Sequence, residues 1–316
     1  MSRHLANRQT TLGDVIELSG IGVHSGAPVF MSLLPAEADT GIVFTRTDAA
    51  ADVQIGASYK SVSATELCTV LGNPAFAAVA TVEHLMAALR GMGVDNAIVE
   101  LDGPEVAIMD GSAAAYVDEI RRVGLRRLDE PRRYIKILKP VRVELGKGFG
   151  ELLPQDDGFS LDVSISFDSA LIGSQRLQLD LTPAAFAKQL SRARTFGFVS
   201  DLEYLLANGY ALGASLDNTV GLDGERVLNP EGLRYKDEFV RHKALDAVGD
   251  LALAGAPLIG RYRSSRGGHK INFMVLKALF ADASNWTYVT MGERRDAGHA
   301  ELPAGLAAAA YSPNVS

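Results

Sequence analysis

Cysteine is almost absent: Cys68 is the only one in 316 residues. No intramolecular disulfide can form, and any metal site must be built from histidine and carboxylates. A reducing, cytoplasmic setting is expected. Positive charge is also in short supply, with 31 Lys and Arg against 38 Asp and Glu and a net charge of −7. No chain-wide basic field exists to attract a nucleic-acid backbone, although a local anion site remains compatible with this balance. Long apolar runs are missing too, the longest falling well short of the ~18 residues that a membrane-crossing helix needs. The opening MSRHLANRQTTLGD has no apolar core of signal-peptide length, so export by that route is not expected. The glycine-rich stretches GKGFG and 213–224 end in no GK[ST] and contain no GxGxxG, so no nucleotide-binding loop is expected.

What is present is a soluble, globular composition, 47% hydrophobic, with enough length for about two domains. Residues 10–71 read as short strands broken by Gly, Pro and Asp. Helices come after them: Thr81 suggests an N-cap for a helix ending near Gly91, VDNAIVELDG is a strand, and Ser112 opens a helix to about Arg122. The charged stretch RRVGLRRLDEPRR, residues 121–133, marks a domain boundary. Strands then recur over 134–180, and Thr182 with Pro183 caps the helix AAFAKQL. A strand-like SRARTFGF, a short helix DLEYLLANG, a long helix over 234–253, the strand APLIGRYRS and a last helix from His269 to Phe280 follow. Strands first and helices after, in both halves, point to an α+β fold in which helices layer on largely antiparallel sheets.

Two clusters carry candidate chemistry. Within 234–253, Glu238, His242, Asp246 and Asp250 recur at every fourth position, which in a helix stacks them on one face, so His242 and Asp246 can reach one cation. A catalytic zinc takes three protein ligands, and His84 is a natural third, with the adjacent Glu83 as a base for the water. The same spacing also describes a solvated face opposite the apolar stripe of Val240, Ala244, Ala247, Val248 and Leu251, and spacing alone favours that plainer reading. His269, after Arg266-Gly267-Gly268, is a turn residue or else a cation, paired with Asp250, that stabilises an oxyanion and protonates a leaving amine. His24 lines a pocket or turns the chain; His4 and His299 sit near the termini and are discounted. The arginines of SRARTFGF either meet an anionic substrate or decorate a strand edge.

Five blocks, in order, carry a resemblance: TVEHLMAAL, IVELDGPEVAIMDGSA, SRARTFGF, RVLNPEGLRYKDEFVRHKALDAVGDL and GGHKIN. They resemble the UDP-3-O-acyl-N-acetylglucosamine deacetylases, the zinc enzymes of lipid A biosynthesis, over roughly Thr10 to Ala281. The resemblance implies Zn2+ held by His84, His242, Asp246 and a water. It implies that Glu83 takes the water's proton, that His269 stabilises charge and assists the amine's departure, that Thr195 lies near the oxyanion and that Asp250 supports the histidine. Lys243 and Phe196 would contact substrate, and Val199, Leu202, Leu205 and Tyr210 would line an acyl-chain passage. The implied fold is two domains of β-α-α-β sandwich type, 1–127 and 132–316, sheets outward, with the active site between them and inserts near 51–72 and 197–222. The expected partner is a UDP-linked acylated amino sugar, with Arg192, Arg194, Lys243 and Lys270 as cations for its diphosphate. A peripheral contact with the membrane and a monomer are expected. Two other readings stay open, a non-catalytic UDP-sugar or lipid-binding module and a zinc amidohydrolase acting on a different amide.

Overall fold

A computed structural model describes residues 6–49 and 53–290; His4, His299 and the rest of the C-terminal tail lie outside the described residues. The first half begins with β1 (Arg8–Leu12), β2 (Ile16–Ile21), β3 (Pro28–Pro35), β4 (Ile42–Arg46) and β5 (Val53–Gly56). In β3, Val29, Met31 and Leu33 alternate with exposed or half-buried neighbours, the period-two pattern of a sheet with one covered face. Three short strands follow, β6 (Val62–Ala64), β7 (Val70–Asn73) and β8 (Ala77–Val79), paired with one another as a separate small sheet. Helix α1 (Glu83–Met92), strand β9 (Ala97–Leu101) and helix α2 (Ala114–Val123) complete the unit. The main sheet runs β2-β3-β9-β4-β5. Its β4 and β9 are parallel, because the chain between them is long enough to carry α1 across the sheet.

Strand β10 (Leu125–Pro131) then pairs with β1, so the charged stretch expected as a plain boundary is in part a strand that closes back on the N-terminus. The second half is built from β11 (Arg133–Ile137), β12 (Val141–Leu145), β13 (Gly148–Leu153), β14 (Phe159–Ser166) and β15 (Ser174–Asp180). After them come α3 (Pro183–Gln189), β16 (Phe196–Phe198), α4 (Val199–Ala207), β17 (Val220–Asp223) and β18 (Arg226–Val227). Helix α5 (Glu238–Ala252), β19 (Leu258–Ser265), α6 (His269–Ala281) and β20 (Trp286–Thr290) end the described chain. Strand β19 lies between β13, antiparallel, and β14, parallel, and its first residues also pair in parallel with β11. Each half therefore places helix, strand and helix in the same order, α1-β9-α2 and α5-β19-α6, with the middle strand parallel to an earlier one. The chain is α+β, as expected, and its sheets are largely antiparallel, with parallel strand pairings among the described residues confined to β4–β9, β11–β19, β14–β19 and β16–β17.

The two helical layers meet where α1 packs on α5. A Cβ added to Gly249 would lie 1.9 Å from the Glu83 carbonyl oxygen, so only glycine lets the helix backbones come this close. Eight of the ten residues of α1 are buried. On α5 the apolar stripe is buried as expected, but so are Glu238, His242, Asp246 and Asp250, so the solvated-face reading fails.

Local differences have local causes. Thr81 does not cap α1: it adopts a left-handed backbone, φ 56°, and its hydroxyl donates instead to Glu105 (2.7 Å). Thr182 does cap α3, accepting from the Ala185 amide. In SRARTFGF only Phe196–Phe198 is strand, because the Arg194 side chain is drawn inward to carboxylates. Helix α5 starts at Glu238, four residues later than its apolar pattern suggested. Strand β20 was not expected at all, and it pairs antiparallel with β11. The small first-half sheet covers 62–79 rather than 51–72, since Val53–Gly56 joins the main sheet beside β4.

Gly249→Ala is expected to push α1 and α5 apart at Glu83 and to destabilise the protein by ~1–3 kcal/mol, the usual cost of overpacking. Urea unfolding of the variant beside the parent checks this, and equal midpoints would show that the helix contact is not as tight as described.

Candidate active site

Helix α1 presents Glu83 and His84 in its first turn, and α5 presents His242, Asp246 and Asp250 on successive turns of one face. The helix contact at Gly249 brings these two faces together. His84, His242 and Asp246, all buried, have ligand atoms within 4.8 Å of one another. Asp246 Oδ1 lies 3.5 Å from His84 Nε2 and 3.4 Å from His242 Nε2. These separations are close to the roughly 3.3 Å that tetrahedral geometry gives for metal–ligand bonds of about 2.0–2.1 Å. Asp246 Oδ1 is buried and has no hydrogen-bond partner among the described residues, a costly state unless a cation takes its lone pairs.

His242 is oriented to donate from Nε2, whereas His84 Nδ1 is buried with no hydrogen-bond partner among the described residues. The His242 Nδ1–H donates to the Ala193 carbonyl at 3.0 Å, and because a carbonyl only accepts, Nε2 is left with its lone pair toward Asp246. Burial pushes the His242 pKa down to about 3, against the pull of Asp246, so the ring is neutral at any physiological pH. Asp246 is buried too, which favours its protonated form, but the neighbouring His242 and Lys243 hold it well below the usual carboxylate range. The Lys243 ammonium donates to Asp246 Oδ2 at 2.7 Å. Burial disfavours its charge, yet Asp246 raises its pKa above the ordinary value. These residues form a group that could hold a metal ion, and their geometry and protonation suit one.

Glu83 and His269 flank this group as a second pair, 3.7 Å apart (Oε1 to Nε2). Burial raises the Glu83 pKa, and its Oε2 accepts the Thr69 amide at 3.0 Å. His269 opens α6 and donates through Nδ1 to Asp250 Oδ2 at 2.9 Å. Burial alone would make its ring neutral, but Asp250 and Glu83 raise its pKa to about 9. Asp250 is in turn fixed by the Thr69 hydroxyl (2.6 Å) and the Asn272 amide (2.7 Å). The site thus holds a base with a raised pKa beside a cationic acid, the pairing that proton transfer at neutral pH requires.

Three further residues hold the site, and none has a role assigned from the sequence. Glu238, left without a role by its spacing, is fully buried and binds Arg194 through its backbone amide (3.0 Å) and Nε (2.9 Å). This pair fixes the turn whose Ala193 carbonyl orients His242. Arg194 is therefore an internal strut, 1% exposed, and cannot serve an anionic substrate as expected. Glu105 accepts the amides of His24 and Ser25 and the hydroxyl of Thr81, anchoring the segment that leads into Glu83. Thr69 links Glu83 to Asp250 across the two halves.

The expected substrate residues divide. Thr195, expected near the oxyanion, follows Ala193 by two residues and its amide donates to the Gly111 carbonyl (2.8 Å), and the Phe196 ring packs on Phe239 (4.9 Å) and meets the His242 ring edge-on at 6.3 Å. Tyr210 meets the His24 ring edge-on at 5.4 Å, and burial, with the charges of His269 and His84, lowers the His24 pKa. Val199 and Leu202 lie on α4, a helix with no buried residue, and are 44% and 39% exposed, so no contact brings them to the metal group. Of the expected cations, Arg192 and Lys270 are exposed and Lys243 is engaged by Asp246.

In metal-free protein, an NMR titration should find the His269 ring protonated until about pH 9. Because this value lies above the ordinary 6.5, the imidazolium contributes stability in full below pH 6.5 and loses it as pH rises through about 9. Asp250→Asn should lower the midpoint; an unmoved midpoint would remove Asp250 as its cause.

A model of the UDP-3-O-acyl N-acetylglycosamine deacetylase family matches residues 9–281. Proteins named UDP-3-O-acyl-N-acetylglucosamine deacetylase from Brucella ovis, Brucella abortus strain 2308 and Brucella melitensis biotype 2 are each 51% identical to the chain over 275 residues, covering 87% of it and 96% of each relative. With Glu83, His84, His242, Asp246, Asp250 and His269 all inside the matched span, the chain belongs to the UDP-3-O-acyl N-acetylglycosamine deacetylase family.

Proposed function

We propose that the chain hydrolyses the N-acetyl group of UDP-3-O-acyl-N-acetylglucosamine, releasing acetate, in lipid A biosynthesis, with Zn2+ held by His84, His242 and Asp246. The observation that carries this reading is the convergence of the buried His84–His242–Asp246 donor set, on α1 and α5, with the Glu83–His269 pair, whose histidine opens α6. A zinc held there would supply a Lewis acid for the amide carbonyl and would acidify a water to a pKa of about 7.

The chain's own groups divide the remaining work. Glu83, with one oxygen fixed by the Thr69 amide, accepts the water's proton through the other. His269, held protonated by Asp250, faces the developing oxyanion and gives its proton to the nitrogen as the amide C–N bond breaks, so the amine leaves neutral. Thr195 lies near the oxyanion. Lys243 keeps Asp246 ionised and presents its charge to the substrate. Phe196 supports the acetamide side, while Val199, Leu202 and Tyr210 with the exposed apolar residues of α4 suit an acyl chain, which needs a surface that water does not hold.

The halves are read as two domains, 1–127 and 132–316, with the site in their seam. Among the described residues no helix is long and apolar enough to cross a membrane. A buried, free Cys68 suits a reducing compartment, and a cytoplasmic monomer that touches the membrane surface is proposed.

Glu83→Gln should lower the rate of acetate release by about 10²–10⁴-fold, the usual worth of a general base, with metal content unchanged. His84→Ala should instead lose the metal, seen by elemental analysis. Full chelation should abolish turnover. Undiminished acetate release from stripped protein would sink the metal mechanism, and an unimpaired Glu83→Gln would remove the base.

A further inference from the structure

A cavity of about 330 Å³ lies against the reverse side of the helix pair. Val248 and Leu251 line it from α5, and helical geometry turns them away from His242, Asp246 and Asp250. Phe159, Leu181 and Leu258 are among its other apolar walls, and Arg90 of α1 and Arg132 supply charge. The Arg90 side chain is 12% exposed, and its Nε and Nη1 atoms are buried with no hydrogen-bond partner among the described residues. The nearest carboxylate, Asp95, is 3.7 Å away, beyond hydrogen-bond reach, because Arg132 has taken the same oxygen at 2.8–2.9 Å. The other Asp95 oxygen accepts the Thr10 amide. Two guanidinium groups thus share one carboxylate, and the cavity keeps an uncompensated positive charge. Burial lowers the Arg90 pKa only to about 10, so the charge persists at neutral pH.

Arg90 and Arg132 both line the cavity with one carboxylate between them, and nothing in the acetate-releasing chemistry uses Arg90. We propose that this cavity binds a small amphiphilic carboxylate, its apolar body seated against α5, β14 and β19 and its anionic end on Arg90. The net charge of one and the apolar walls favour a monoanion with a hydrocarbon body over a free polyanion such as phosphate. Its occupant would rest on the same two helices that carry the metal group, without touching that group.

The test uses the full-length, metal-loaded protein with labelled methyl groups, titrated with octanoate and, separately, with octanamide. Octanoate should shift the Leu251 and Leu258 methyl signals saturably, and octanamide should bind about tenfold more weakly, the loss of one charge-assisted hydrogen bond. Ala256→Trp, which fills the cavity from its half-buried rim, should abolish these shifts while acetate release stays at the parent rate. Arg90→Gln should erase the preference for octanoate, a readout independent of whether the tryptophan variant folds. Equal binding of the two probes by the parent, or shifts confined to Val199 and Leu202 on the acyl side, would overturn the proposal.

Discussion

The contact between α1 and α5 at Glu83 and Gly249 is the constraint on which the rest of the structure depends. Neither helix carries a complete site: α1 brings one nitrogen donor and the base, α5 brings the second nitrogen, the carboxylate and the support for His269. A side chain at 249 would separate the backbones, and the 3.4–3.5 Å donor spacings around Asp246 Oδ1 would open with them. In the second half β14 and β15 pack on α5 and β12 and β13 on α6, while α2 packs on α1 in the first, and this apolar burial presses the layers together. Core packing and ligand geometry are thus one problem in this molecule.

That seam concentrates charge where water is scarce. Glu83, Asp246, Asp250 and Glu238 are each at most 3% exposed, and a buried carboxylate is tolerated only when hydrogen bonds and opposite charges replace its hydration. Three of them have found such partners within the protein. Glu238 has Arg194, Asp250 has His269, Asn272 and Thr69, and Glu83 has the Thr69 amide and His269. Asp246 alone keeps an oxygen without a partner, although Lys243 satisfies the other. The one incomplete carboxylate is the one at the centre of the donor set, which is why the site reads as a metal centre and not as a structural ion-pair cluster.

Much of this was written in the sequence, but not in its periodicity. The four-residue spacing of Glu238, His242, Asp246 and Asp250 placed them on one face, and the structure does so. Spacing could not tell a solvated face from a buried polar one, because both look polar and only the partners differ. Those partners come from far away: Thr69 from the small first-half sheet, Arg194 from the turn after α3, His269 from the start of α6. Thr81 looked like a cap because threonine before a helical run often is one, but Glu105, twenty-four positions later, offered its hydroxyl a better acceptor. Only motif blocks read together, such as TVEHLMAAL with DEFVRHKALDAVGDL, carried the long-range information that single elements lacked.

Glu238 shows how far the support extends. Its carboxylate gathers the Arg194 side chain, the Arg194 amide and the Arg234 amide into one buried knot. Arg194 also pairs with Glu231 and donates to the Gly232 carbonyl, so the knot ties the turn after α3 to the entrance of α5. The Ala193 carbonyl sits in that turn, one residue before Arg194, and fixes the His242 tautomer. Thr195 and Phe196 follow it directly. The knot therefore positions His242 on one side and Thr195 and Phe196 on the other through a single stretch of backbone. A charge in the apolar interior that touches neither metal nor substrate is explained by what it holds still.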